Sequence, residues 1–435
     1  MIDEKILFLT HTDCGIPELK KHGLGIGPNL DLDAFFVQPL KEIFSKVIVY
    51  DMWKSYAEIG VRKSNKEIID IVRSEQPKYL LWHSMMYEIM ESTFQEIREQ
   101  GTLVVGWFFD DEIRFDNYSK WWIPFLDYCL TNDKEGVGKY EKLGIHAKHM
   151  VLGGNPNIFK TVDVNLIYDV TFVGRNFGQK EIWINNMAAN GIVVQTFGRG
   201  WTSGYVATEE MIKLFNASKI NLNFAESYGR NTRPQIKNRI FEVCMAGGFL
   251  LSEYVPGIEE YFEIDKEIAC FKNIDEANDK IQYYLAHEDE RKAIARAGWE
   301  RAQSDYTQTA KLIKAFEEIH EASNCRKHEI KDNREILNMP PHIRQFPSSY
   351  HLSWAGGLMI EKFPDTRWQE ELELALFYDP FNKEAHQLRL IGRLPASLRS
   401  ILLYCRPAYI KLKQLLLSYL ASIPMLRKIK RALIS

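Results

Sequence analysis

Apolar residues fall in short runs along much of the chain, and between the runs they recur at helical spacing. The first run, Ile6 to Leu9, predicts a strand, and a long loop containing Gly23, Gly25 and Gly27 follows it. Asn29 and Asp31 are placed to cap a helix whose apolar positions are Phe35, Phe36, Val37, Leu40, Ile43 and Phe44. Val47 to Tyr50 predicts a second strand, Asn65 to Arg73 a helix, and Tyr79 to Trp82 a third strand. A helix over Phe94 to Gln100 closes at Gly101. The fourth strand, Leu103 to Phe109, runs into Asp110, Asp111 and Glu112. Tyr128 to Thr131 and His149 to Leu152 supply two more strands. Strands alternating with helices in this way imply an α/β fold with a doubly wound parallel sheet.

Gly153 to Asn157 breaks the pattern, and a second alternating series starts at Asp169 to Gly174. It continues through strands at Ile192 to Phe197, Ile220 to Phe224, Phe249 to Leu251 and an edge strand at Ile268 to Phe271. Helices over Ile274 to Ala286, Glu288 to about Asp305 and Thr309 to Ser323 complete it. The middle of this series is the most informative stretch of the chain. A loop carrying Arg230, Arg233, Lys237 and Arg239 leads into helical spacing from Ile240 to Ala246, which stops at Gly247 and Gly248. Parallel sheets bind ligands outside the carboxyl ends of their strands, so a cationic loop there points to an anionic ligand. The expected architecture is two Rossmann-like domains, residues 1–153 and 154–325, with an α-helical C-terminal extension over 326–435.

In the extension, Met339 to Pro341 reads as a linker. Trp368 to Tyr378 followed by Asp379 to His386 has the look of one tetratricopeptide junction. One junction does not make a repeat array, so a helical hairpin packed on the body is expected. From Ala385 to Ser435 there are ten Lys and Arg and no Asp or Glu; the whole chain is −3, so the remainder carries −13. Those cations alternate with Leu, Ile and Tyr, and Pro407 and Pro424 divide the stretch. It reads as basic amphipathic helices suited to an anionic membrane surface, or alternatively to the protein's own acidic body. No apolar run approaches 18 residues, which excludes a spanning helix. The start of the chain lacks the layout of a secretory signal, and the six cysteines form neither a CxxC pair nor a zinc spacing. Cytosolic thiols, no metal site and no nucleic-acid partner are the corresponding expectations.

Several segments together resemble the GT-B glycosyltransferases, and within them the CgeB-like, spore-maturation-type proteins of glycosyl transferases group 1. They are Arg239 to Glu242, Gly247 to Leu251, Pro256 to Glu260, and Ala286 to Arg291. The resemblance covers about Ile6 to Ile319 and is strongest in the second domain. It implies a nucleotide-diphosphate-sugar donor of UDP or GDP type as co-substrate, and transfer without a metal. Two departures bear on stereochemistry. Related retaining enzymes carry E-x7-E, whose second Glu falls at Glu242 and whose first would fall at Pro234. They also end the fourth strand with His-Asp, where this chain has Asp110 and Asp111. Retention therefore does not carry over, and inversion with an Asp base stays open.

Phe172 to Lys180 matches the family's G-R-x4-K loop, which implies diphosphate contact by Arg175 and Lys180; a surface turn with solvated cations is the alternative. Arg233, Lys237 and Arg239 have the same two readings, and Arg239 could brace a carboxylate instead. The resemblance gives Glu242 to the ribose hydroxyls, against a structural pair with Arg239. Gly247 and Gly248 are expected either to admit the nucleotide or only to end the helix. Asp110 and Asp111 are the expected catalytic acids, with Glu112 in the same cluster and a plain helix N-terminal cluster as the alternative. His83 is a weaker base. His11 and Thr12 lie in the first strand–helix connection with Gly23, Gly25 and Gly27. The expected activity is glycosyl transfer to a cell-surface glycan, lipid-linked or protein acceptor by a cytoplasmic enzyme, peripheral on the membrane through its tail. A nucleotide-sugar epimerase and a catalytically degenerate scaffold are the competing readings.

Overall fold

A computed structural model describes residues 2–12, 15–17, 19, 32–84, 86–226, 234–324, 339–360 and 365–392. Among them, two parallel sheets stand out. The first comprises β1 (Ile2–Thr10), β2 (Phe44–Asp51), β3 (Tyr79–His83), β4 (Leu103–Phe108), β5 (Tyr128–Thr131) and β6 (His146–His149), in the order β2-β1-β3-β4-β5-β6. The second comprises β7 (Tyr168–Val173), β8 (Val194–Phe197), β9 (Ser218–Asn223), β10 (Leu250–Glu253) and β11 (Ala269–Phe271), in the order β11-β10-β9-β7-β8. Parallel neighbours need crossover connections, and these cover both faces of each sheet. The central strands are accordingly apolar throughout: Ile6 to Leu9 and all of β3 and β4 are buried. Strand order reverses between β1 and β3 in one sheet and between β7 and β9 in the other, which opens a crevice at each reversal. This is the expected pair of Rossmann-like α/β domains with a helical C-terminal region.

Three of the differences from expectation bear on how the elements fit together. Phe44 leaves the helix and starts β2, because parallel pairing with β1 begins at Ile2 opposite Phe44. The sixth strand is His146–His149 rather than His149 to Leu152. It is an edge strand of mostly polar residues that pairs with β5, whereas buried Met150, Val151 and Leu152 carry the chain toward the second domain. The helix Gln308–Asn324 follows the second domain in sequence but packs under the first sheet. Phe316 meets Phe44 and Tyr79 edge-on, with ring centroids 4.8 and 5.3 Å apart, and Thr309 Oγ1 donates to Glu42 at 2.7 Å. Gly153 N–H donates to Gln308 Oε1 at 2.6 Å, tying the interdomain segment to the same helix.

The C-terminal helices Pro341–Ile360, Asp365–Tyr378 and Lys383–Ile391 pack on the first domain. Trp354 lies edge-on to Tyr56 at 5.6 Å, Arg367 donates to the carbonyls of Ala57 and Glu58, and Tyr378 OH donates to Glu91. A buried His351–Glu371 contact of 2.7 Å joins two of the helices. Among the described residues no helix is long and apolar enough to cross a membrane. The loop with Gly23, Gly25 and Gly27, the caps Asn29 and Asp31, and the basic tail from residue 393 lie outside the described residues, as does Arg233.

Candidate functional site

The strand ends of the two sheets face one another across a cleft of about 490 Å³. Phe109, Asp110 and Asn132 line it from the first domain, and Gly174 to Lys180, Asn223 to Glu226 and Gln235 to Glu242 contribute from the second. Its second-domain wall is the crevice between β7 and β9. The loop after β7 is held by its neighbours: Gly174 N–H donates to Phe197 O and Asn176 N–H to Arg199 O, each at 2.8 Å, while Trp201 Nε1 donates to Gly174 O at 2.9 Å. The loop ends at the helix Lys180–Ala189, whose N-terminus faces the cleft.

Arg175 is exposed on the cleft wall and Lys180 is buried in it, its ammonium 3.3 Å from the Phe177 ring centroid. Burial pulls the Lys180 pKa down to about 8, against the opposing pull of Glu226, 3.8 Å away. The Glu226 carboxylate accepts from Gln179 N–H at 2.9 Å, so a side chain of the protein occupies the helix N-terminus. Gly178 has φ +64°, and a Cβ there would lie about 2.0 Å from that carboxylate; only glycine fits.

Opposite, Lys237 Nζ donates to Gln235 Oε1 at 3.0 Å. Burial lowers its pKa, and Glu112 and Asp110 pull the other way. Glu242 is 8% exposed and accepts from Arg239 Nη1 at 2.6 Å, while also lining the cleft. The Arg239 pairing is thus real, and it leaves the carboxylate at the wall. Arg175, Lys180, Lys237, Arg239 and Glu242 therefore meet in one place. Gly247 and Gly248 do not line the cleft. Gly247, at φ +83°, ends the helix Arg239–Met245 near Thr161, and Gly248 packs on Asn221 and Phe215, so their work is closing the helix against β9.

The two adjacent acids part company. Asp110 takes a left-handed conformation (φ +58°) and is exposed to the cleft. Asp111 is fully buried and accepts from Ser119 Oγ, from Thr131 Oγ1 at 2.6 Å and from Tyr140 OH at 2.7 Å. A carboxylate saturated by three hydroxyls inside the first domain has no access to a substrate, so the catalytic assignment of Asp111 is corrected to a structural one. His83 is buried among Phe36, Phe109 and His11, and burial pushes its pKa down to about 3. His11 contacts Glu88 at 2.7 Å with both side chains fully buried, and Thr12 is held by Asp51. None of the three lines the cleft. Sequence reasoning missed Glu226, Asn132 and Gln235. An acid two residues past an apolar run gave a usable signal for Glu226; the two amides gave none.

Residues 175–316 match a family model described as glycosyl transferase-like. No curated protein matches the sequence significantly. Among solved structures, the chain is similar to sucrose-phosphate synthase from Thermosynechococcus elongatus, with a TM-score of 0.50 at 9% identity over 74% of this chain and 100% of that one. It is also similar to Anabaena HepE in complex with UDP-glucose, with a TM-score of 0.47 at 11% identity over 74% and 100% of the two chains. Two parallel α/β domains facing one another across a cleft, with a glycosyl transferase-like second domain, make this a GT-B fold.

Proposed function

We propose that this protein transfers a sugar from a nucleoside-diphosphate donor of UDP or GDP type to a hydroxyl-bearing acceptor. The observation that carries the reading is the convergence of Arg175, Lys180 and Lys237 on one cleft, facing Asp110 across it. The glycosyl transferase-like match over 175–316 supports it independently. Charge grows on the leaving diphosphate as the glycosidic bond breaks, and fixed cations in a partly dry cleft stabilise that charge most when it is greatest. Glu242, paired with Arg239 at the cleft wall, is suited to accept from two ribose hydroxyls. Asp110 is the available base for the acceptor hydroxyl, which favours inversion. The transfer is proposed to need no metal. Calorimetric titration with UDP and GDP tests the reading: one of them binds and is displaced by its sugar conjugate. A protein that binds neither is not a transferase of UDP- or GDP-type donors.

The acceptor is proposed to be a cell-surface glycan, lipid-linked or protein hydroxyl, reached from the cytosolic face of a membrane. The tail carries this part, since ten cations without a local acid each contribute about 1 kcal/mol near an anionic surface. The full chain is expected to float with anionic liposomes at low salt and not with neutral ones, and a chain ending at Glu384 to lose that property. Equal flotation of both chains removes the tail as an anchor.

A further inference from the structure

The helix Gln308–Asn324 packs under the first sheet, where Phe316 meets Phe44 and His320 lies 3.1 Å from Tyr79 OH. From the first turn of that helix Lys311 reaches the other way, into the second domain. Its ammonium lies 4.1, 5.1 and 5.9 Å from the ring centroids of Phe241, Tyr261 and Tyr306. These rings form a triangle of their own, with centroids 5.3, 5.4 and 5.5 Å apart. The Lys311 ammonium is out of contact with solvent and forms no hydrogen bond. The carboxylates along this seam are engaged with other cations: Glu260 with Lys134, Glu318 with Lys148 and Asp305 with Arg301. Lys314, three residues on, adds a like charge. On the first-domain side His149 lies 3.3 Å from Tyr261 OH, and burial draws its pKa down to about 4, so it is neutral. Burial raises the pKa of Tyr261 and Tyr306, so both phenols are neutral as well. Ring faces attract an ammonium, yet they replace only part of the hydration that burial removes. Burial accordingly draws the Lys311 pKa from 10.5 down to about 7.

We propose that Lys311 is a proton-operated pin between the two domains: neutral, it rests among the three rings and the seam is shut; protonated, it draws toward water and the seam loosens. The lysine backbone is fixed through its helix to the first domain, and the rings belong to the second. Water therefore reaches the ammonium when the two draw apart. Phe241 immediately precedes Glu242, and their helix, Arg239–Met245, brings both Arg239 and Glu242 to the cleft, so loosening the seam shifts that wall. This holds whatever ligand the cleft takes. The direction follows from proton linkage. With its pKa lowered in the folded chain, Lys311 gives up its proton more readily folded than unfolded, and folding stability rises with pH from about 7 toward 10.5.

The test is small-angle scattering and thermal melting of the full-length protein, Lys311→Met and Lys311→Arg, each at pH 6 and pH 8.5. The wild type is expected to have a larger radius of gyration at pH 6 than at pH 8.5. Lys311→Met, which is never charged, keeps the smaller value at both, and Lys311→Arg, which is always charged, keeps the larger. Lys311→Met melts above the wild type at pH 6, and the gap narrows by about 2–4 °C at pH 8.5 as the wild type loses its buried charge. Should Lys311→Arg fail to fold, the comparison of Lys311→Met with the wild type decides alone. A wild-type radius that ignores pH overturns the pin, and so does the same pH response in Lys311→Met, which assigns it to other groups. A narrowing melting gap with unchanged scattering also overturns it, because the side chain then swings to water by itself and the domains stay put.

Discussion

Lys180→Ala will weaken UDP or GDP binding by about 10–100-fold, the range for losing a charge-assisted hydrogen bond of roughly 1.5–3 kcal/mol. Among the described cations of the cleft, Lys180 is the one whose pKa burial lowers most. It lies within the cleft wall at the start of its helix, its ammonium forms no hydrogen bond in the free protein, and the Phe177 ring holds the side chain in place. A phosphate oxygen would meet a preorganised, poorly hydrated charge there. The pH dependence has a definite sign. With its pKa lowered to about 8, Lys180 is charged below that value and neutral above it. Diphosphate affinity in the wild type therefore falls as pH rises through about 8, with the limb displaced upward by the bound anion. Lys180→Arg, which stays charged, should flatten that limb. Calorimetry at pH 7 and 9 on both proteins reads this, and a wild-type affinity unaffected by pH or by Lys180→Ala removes the residue from the site.

The second large effect separates the two adjacent aspartates. Asp111→Ala leaves Ser119, Thr131 and Tyr140 without their acceptor inside the first domain, and a loss of about 3–5 kcal/mol in stability is expected. Asp110→Asn should change stability by no more than about 0.5 kcal/mol, because the side chain is exposed and asparagine tolerates the left-handed conformation. Its effect falls on turnover, with a drop of about 100-fold or more if Asp110 is the base, and on diphosphate binding hardly at all. Thermal melts and single-turnover transfer assays distinguish the pair. A stable Asp111→Ala protein contradicts the structural role, and a fully active Asp110→Asn enzyme removes the base.

Those two residues also mark the limit of what the chain makes legible. In sequence, Asp110 and Asp111 are equivalent acids after an apolar strand. They diverge because the backbone turns left-handed at Asp110, and because the hydroxyls that bury Asp111 arrive from 8, 20 and 29 residues further on. Buried strands were readable since two covered faces require continuous apolar runs, as in Tyr79 to Trp82. The strand His146–His149 was not, since an edge strand can form from polar residues by backbone pairing alone. The amphipathic pattern of Gln308–Asn324 announces a helix with one apolar face but carries no label saying which sheet receives Phe316. The G-R-x4-K loop stood out through its match to the family pattern, whereas Gln235 and Asn132 gain meaning only from the domain that comes to face them.

Glu226 gives the cleft a property of its own. The helix N-terminus after β7 already holds an anion, and it is one the chain cannot release into solution. On the donor reading proposed above, an arriving diphosphate would not fill a vacant positive field but would enter an ion exchange with a tethered counter-ion. Chloride and single phosphates compete poorly in such an exchange, because each offers too little charge and too few contacts to dislodge a carboxylate whose local concentration never falls. A ligand that also engages Lys237 and Glu242 can.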